Sequence, residues 1–128
     1  MKGERRMTWK LDDSRPIYTQ IIEHIQMDII AGRYKPGDKL PSVRDFAMEA
    51  AVNPNTMQKA LSELERSGLV YSQRTSGRFI TDDASAISNL REQLARLQLE
   101  QFLEKMKQLG YTWDETIQLM KSISREEE

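Results

Sequence analysis

Two helix starts stand close together in the middle of the chain, and their spacing constrains the fold more than any other feature. Ser42 has Asp45 three residues on, the spacing of a capping box with Asp in place of Glu, and Val43, Phe46, Ala47 and Ala50 then make one apolar face. A few residues later Asn53-Pro54 starts again: Asn can accept from a free backbone N–H, and Pro in the first turn forfeits no hydrogen bond. Met57, Ala60, Leu61 and Leu64 stripe this second helix until Gly68 ends it. A short helix over about 42–50, tightly joined to a longer one over about 54–67, reads as a helix-turn-helix whose second member is polar at its beginning.

The flanks complete a unit around that pair. Ser14 before Arg15-Pro16 predicts another helix start, Ile17, Tyr18, Ile21, Ile22, Ile25 and Ile29 recur at helical spacing, and Gly32 supplies a stop. Pro36-Gly37 is a turn signal that leaves Lys39-Leu40 room for a small strand only. Leu69-Val70-Tyr71 and Arg78-Phe79-Ile80 are β-prone runs on either side of the polar segment Ser72 to Gly77, which reads as a hairpin. Three helices followed by a hairpin make a winged helix.

After Asp82-Asp83-Ala84-Ser85 the pattern changes to helix alone. A long helix is predicted over about 86–109, with one apolar set at Ile87, Leu90, Leu94 and Leu97 and an offset set at Leu99, Phe102, Met106 and Leu109. Gly110 stops it, Thr112 with Glu115 offers a second capping box, and Trp113, Ile117, Met120 and Ile123 stripe a final helix. The expected fold is therefore mainly α with a small β-hairpin. An N-terminal arm (1–13), expected to be partly disordered, precedes a winged helix-turn-helix (14–83), and a C-terminal two-helix antiparallel hairpin (84–128) follows.

Composition removes most chemistry. With no cysteine and one histidine among 128 residues, disulfides, thiolate zinc, cysteine nucleophiles and multi-histidine metal sets are excluded. His24, expected on the polar side of the first helix beside Glu23, has no metal-binding companion. No nucleophile-base pair or phosphate-cradling glycine loop stands out, so neither an enzyme nor a cofactor is expected. No run approaches the roughly 18 apolar residues of a spanning helix, and residues 1–10 are charged where a signal peptide would be apolar; a cytoplasmic protein with no membrane partner is expected.

The net charge of −1 conceals an uneven distribution. From Arg33 to Ile80 the balance is +3, and from Ala84 onward it is −2, which suggests that the middle of the chain meets a polyanion. The face of the second helix-turn-helix member opposite its apolar stripe displays Asn55, Thr56, Lys59 and Ser62, with Gln58 nearby. Such groups suit a major groove, where Asn and Gln pair with adenine edges and Lys meets guanine or phosphate; on residue types alone they equally suit a solvated face. Arg74 and Arg78 flank the turn at Gly77 and make the wing tip cationic.

In order and spacing, Pro16-Ile17-Tyr18-Thr19-Gln20-Ile21, Gly32, Pro36 to Arg44, Asn53-Pro54-Asn55-Thr56, Ala60-Leu61, Leu64-Glu65, Gly68-Leu69-Val70 and Gly77 with Phe79-Ile80 resemble the GntR family of bacterial transcription regulators. The short helical tail and Asn53-Pro54-Asn55-Thr56 are similar to its YtrA subfamily. The resemblance implies a double-stranded DNA operator as partner and DNA contacts from Ser42, Arg44, Asn55, Thr56, Lys59 and Arg78 beside Gly77. It further implies a repressor acting near transporter genes and on its own operon. Two departures stand out: Pro54 replaces an arginine frequent in the family, and Lys59 stands where arginine is frequent. Lysine lacks the planar fork that grips guanine, which points Lys59 to phosphate.

A final helix about half as long as its neighbour cannot cover both stripes of the tail, so one is left for a second copy. Ile87, Leu90, Leu94, Leu97, Phe102 and Met106 are the candidate dimerisation residues of a homodimer, and Tyr111 and Trp113 read as packing anchors. A two-helix tail leaves room only for a small, apolar effector. The alternative is a winged-helix protein-protein interaction module with a partner-docking tail, whose binding would lack the steep salt dependence of phosphate contacts.

Overall fold

The structure, a computed structural model, describes residues 9–127 and divides into two compact units, one up to Ser88 and the other from Asn89. The first unit contains α1 (Ile17–Ile30), α2 (Val43–Ala50), α3 (Pro54–Arg66), β1 (Val70–Gln73) and β2 (Gly77–Ile80). The second unit begins inside α4 (Ala84–Gln108), and α5 (Trp113–Glu127) follows. The expected fold class is what is found: mainly helical, with one small hairpin.

In the first unit, α3 packs against α1, α2 and β1. Its inward residues Met57, Ala60, Leu61 and Leu64 are fully buried and meet Ile21, Ile25 and Ile29 of α1 and Phe46, Ala47 and Ala50 of α2 in one core. Removing such side chains from water at about 25 cal/mol per Å² is the main force holding the three helices together.

The helix starts follow local chemistry. Ser42 accepts from the Asp45 amide at 3.1 Å, and Asn53 accepts from the Asn55 amide at 2.7 Å with Pro54 in the first turn. Ser14 does not cap α1, contrary to the expectation. Pro16 precedes that helix with no side-chain cap, and Ser14 instead turns back on Asp12, donating from its backbone amide at 2.8 Å and from its hydroxyl. The side chain of buried Gln20 holds the entry segment: it accepts from the Asp12 amide and donates to the carbonyls of Asp12 and Arg15 at 2.8 and 2.9 Å.

The end of the expected arm belongs to this unit as well. Trp9, only 9% exposed, stacks on His24 with ring centroids 3.7 Å apart, meets Phe46 edge-on, and donates from Nε1 to Glu49. Burial of that indole packs the segment leading into α1 against α1 and α2. His24 accordingly lies under a tryptophan instead of facing solvent, with Asp28 3.3 Å from its Nε2. Residues 1–8 of the arm lie outside the described residues. Tyr34 packs edge-on to Phe46, and burial pushes its hydroxyl up to about 12.

β1 and β2 pair antiparallel from Val70 opposite Ile80 to Gln73 opposite Gly77, extending further into the polar segment than the β-prone runs suggested. Asp38 to Leu40 lies along β2 as a minimal third strand: the Leu40 amide donates to the Arg78 carbonyl, the Ile80 amide to the Asp38 carbonyl, and Lys39 bridges Phe79. Pairing on that side covers an edge that would otherwise expose unpaired backbone groups.

In the second unit α4 begins at Ala84, two residues earlier than its apolar pattern, because Asp83 accepts from the Ser85 amide at 3.0 Å. Thr112 and Glu115 form a full reciprocal capping box, with bonds of 3.0 and 3.1 Å that start α5. Thr116 is buried and donates to the Thr112 carbonyl. Leu90, one of the candidate dimerisation residues, is only 6% exposed and thus already covered within one chain. Ile87, Leu94 and Met106 are half-buried, whereas Leu97 and Phe102 are exposed.

Candidate nucleic-acid interface

The helix-turn-helix is closed by Ala51, Val52 and Asn53 between α2 and α3. Ala51 ends α2 in the left-handed conformation at φ 59°, and the Val52 amide returns to the Ala47 carbonyl at 3.0 Å. This turn directs the start of α3 outward. Asn55, Gln58, Lys59 and Ser62 lie exposed on the side away from Met57, Ala60, Leu61 and Leu64, while Thr56 is half-buried. Gln58 donates to the Ser62 hydroxyl at 3.2 Å, which holds its amide along the helix face.

Electrostatics separates the cations of this unit. Arg15, Arg33, Arg66 and Arg78 are engaged with Glu23, Asp28, Glu63 and Glu65. Lys10, Lys35, Lys39, Arg44 in the first turn of α2, Lys59 on α3 and Arg74 in the wing turn make no ion pair with any described residue. Arg44 therefore does not form the surface pair with Asp45 or Glu49 that its position would permit. The Ser42 hydroxyl accepts from Asp45 and keeps its own hydrogen free to donate. Unneutralised cations beside free N–H and O–H donors form a surface suited to phosphate.

Arg78 is placed differently from the other wing cations. It sits within β2, half-buried, and Nε donates to Oε1 of Glu65 at 3.0 Å, while the other Glu65 oxygen accepts from Ser72 at 2.6 Å. These contacts hold the Glu65 carboxyl below the usual range, the Ser72 hydroxyl contributing most. Gly77 opens the strand at φ 111°, a conformation that side chains disfavour, and a Cβ there would stand 3.2 Å from Lys39 Cε. Lys39 is thus brought beneath the wing turn. Sequence reasoning missed it, together with Glu65 and Tyr18, because each acts across a separation that no periodicity reports.

Tyr18 brings α1 to the same face. Its ring lies under the ammonium of Lys59, with Nζ 3.9 Å from the ring centroid. Of the expected DNA-contacting residues, the structure thus leaves Ser42, Arg44, Asn55, Gln58, Lys59 and Arg74 exposed and engages Arg78 with α3.

The fold is shared with known proteins. Residues 17–80 match the model of the bacterial regulatory proteins of the gntR family. The chain belongs to that family. This GntR-family chain is 41% identical over 115 residues to the HTH-type transcriptional regulator YhcF of Bacillus subtilis, covering 90% of the chain and 95% of YhcF. To the HTH-type transcriptional repressor YtrA of the same organism it is 42% identical over 90 residues, 66% of the chain and 69% of YtrA. Among solved structures, a GntR family transcriptional regulator from Listeria monocytogenes superposes with a TM-score of 0.82 at 39% identity, covering 88% of this chain and 98% of that one. AraR(DBD) in complex with operator ORX1 is similar with a TM-score of 0.53 at 27% identity, covering 56% of this chain and 93% of that one. This GntR-family protein is a DNA-binding transcriptional regulator, and no helix among its described residues is long and apolar enough to cross a membrane.

Proposed function

We propose that the protein is a homodimeric, sequence-specific repressor that binds an inverted-repeat operator, with one winged helix on each half-site. The observation that carries this reading is what the helix-turn-helix and wing leave available: Arg44, Lys59 and Arg74 make no ion pair with a described residue, and Asn55 and Gln58 are exposed on α3. Arg44, Lys59, Arg74 and the Ser42 hydroxyl bind phosphate and fix the register, and Asn55 and Gln58 read base edges. Thr56, half-buried, supports the start of α3, and Gly77 shapes the wing turn.

The tail supplies the second copy. Leu97, Leu99 and Trp113 are 48%, 58% and 62% exposed, and Phe102, Leu119, Met120 and Ile123 are exposed with them. A monomer rarely displays so much large apolar surface, and two-fold pairing of tails buries it while matching the symmetry of an operator. The name of the repressor YtrA supports repression, and the resemblance of Asn53-Pro54-Asn55-Thr56 and of the short tail to the YtrA subfamily suggests transporter genes and the protein's own operon as targets. Any effector is small and apolar.

The test is selection of duplexes from a random-sequence pool by the full-length protein, followed by sedimentation of free protein and complex. Enrichment of an inverted repeat bound by two chains is expected. Enrichment of no sequence, or binding insensitive to salt, would make the winged helix a protein-binding module instead.

A further inference from the structure

We infer that Tyr18 is a positioning residue for DNA binding, holding the Lys59 ammonium in place without neutralising it; this rests on the proposed DNA-binding role of the face that Lys59 occupies. The ammonium stands 3.9 Å from the Tyr18 ring centroid, close enough for attraction by the negative face of the ring. Tyr18 is itself half-buried on α1, which packs against α3, so the ring is a fixed platform on which an otherwise flexible side chain rests.

The type of contact is what matters. A lysine stem has four rotatable bonds, and ordering it when a phosphate arrives costs entropy; a side chain that waits in place loses less. A carboxylate partner would also order it but would cancel its charge, as Glu65 does for Arg78. The ring orders Lys59 and leaves the full positive charge for a phosphate. Tyr18 thereby makes the first helix part of the phosphate-facing surface.

The experiment uses full-length protein and a duplex enriched from a random pool by the wild type, with affinity measured by fluorescence anisotropy over a series of salt concentrations. Lys59→Ala is expected to weaken binding several-fold and to make the salt slope shallower by roughly one phosphate contact. Tyr18→Leu should reproduce at least half of that loss, Tyr18→Phe should match the wild type, and Tyr18→Leu combined with Lys59→Ala should be no weaker than Lys59→Ala alone. In the free protein the Lys59 Hε resonances should be shifted upfield by the ring and return to ordinary positions in Tyr18→Leu. Additive losses in the double variant, a Tyr18→Phe as weak as Tyr18→Leu, or unshifted wild-type Hε resonances would each overturn the positioning role. The NMR readout stands even if Tyr18→Leu folds poorly, since the wild type alone can fail it. A wild type that binds no duplex in a salt-dependent way would instead remove the DNA-binding reading itself.

Discussion

Nε of Arg78 donates to Oε1 of Glu65 at 3.0 Å, and this one bond ties the second strand of the wing to α3. The pair is half-buried and shares Glu65 with the Ser72 hydroxyl, so both strands are fastened to α3 through one carboxylate. A wing held in this way is fixed to α3, and Arg78 is engaged in holding it there.

Glu65→Gln should therefore loosen the wing with a defined pH signature. The carboxyl titrates below its ordinary value of 4.5, chiefly through Ser72 and then Arg78, so its contribution is complete above the ordinary range and is lost as pH falls through the lowered value. Allowing for solvent screening, the stabilisation is about 0.5–1 kcal/mol. Thermal melts should show the variant below the wild type at neutral pH, with the two converging in acid; a gap that widens in acid would contradict the assignment.

Arg44→Ala is expected to weaken DNA binding at least about tenfold, or 1.4 kcal/mol, with no change in melting temperature. Its side chain is exposed and unpaired, so nothing is lost from the core. Gel-shift titration at moderate salt decides the matter, and unchanged affinity would return Arg44 to the solvent.

Asn55→Ala should alter selectivity more than affinity. Base contacts specify where phosphate contacts position, so the ratio of enriched to random duplex affinity should fall while binding to random DNA holds. Equal weakening on both duplexes would show that Asn55 reads no base.

Trp9→Ala tests whether the chain before α1 belongs to the winged helix. Loss of a buried indole costs about 3–5 kcal/mol where the site cannot collapse. Urea unfolding should show a markedly lower midpoint; a change below 1 kcal/mol would mean that the stack on His24 contributes little.

In the tail, Leu97→Asp should give monomer mass by sedimentation and lower operator affinity by orders of magnitude, since joint binding by two linked sites is lost. Leu90→Asp should do something different, namely destabilise the chain, because that side chain is already covered within one copy. A Leu97→Asp variant that remains dimeric would place the seam elsewhere.

What the sequence made legible was whatever is written at short range. Ser42, Asn53 and Thr112 announce their helices because a cap and its amide lie within three residues of each other, and the stripe of α3 shows because burial repeats with the helical period. Ser14 misled because an Asp two residues before it offered a better partner than the helix did. Trp9 on His24, Lys59 on Tyr18 and Glu65 on Arg78 join residues 13 or more apart, and nothing in residue type or spacing marks such pairs. The exposed face of α3 was visible as a set of residue types, but not the difference between a free cation and a paired one.

Because α3 packs at once against α1, α2 and β1, its outward side chains have no existence as a surface apart from the whole unit. A helix of 13 residues with a polar outer face is marginal alone in water, so its stability comes from packing against these neighbours. Partial unfolding within this unit therefore leaves no half-competent winged helix: amide exchange along α3 should report the same opening free energy as the core around it, and heat or denaturant should remove its DNA-facing surface in a single cooperative step.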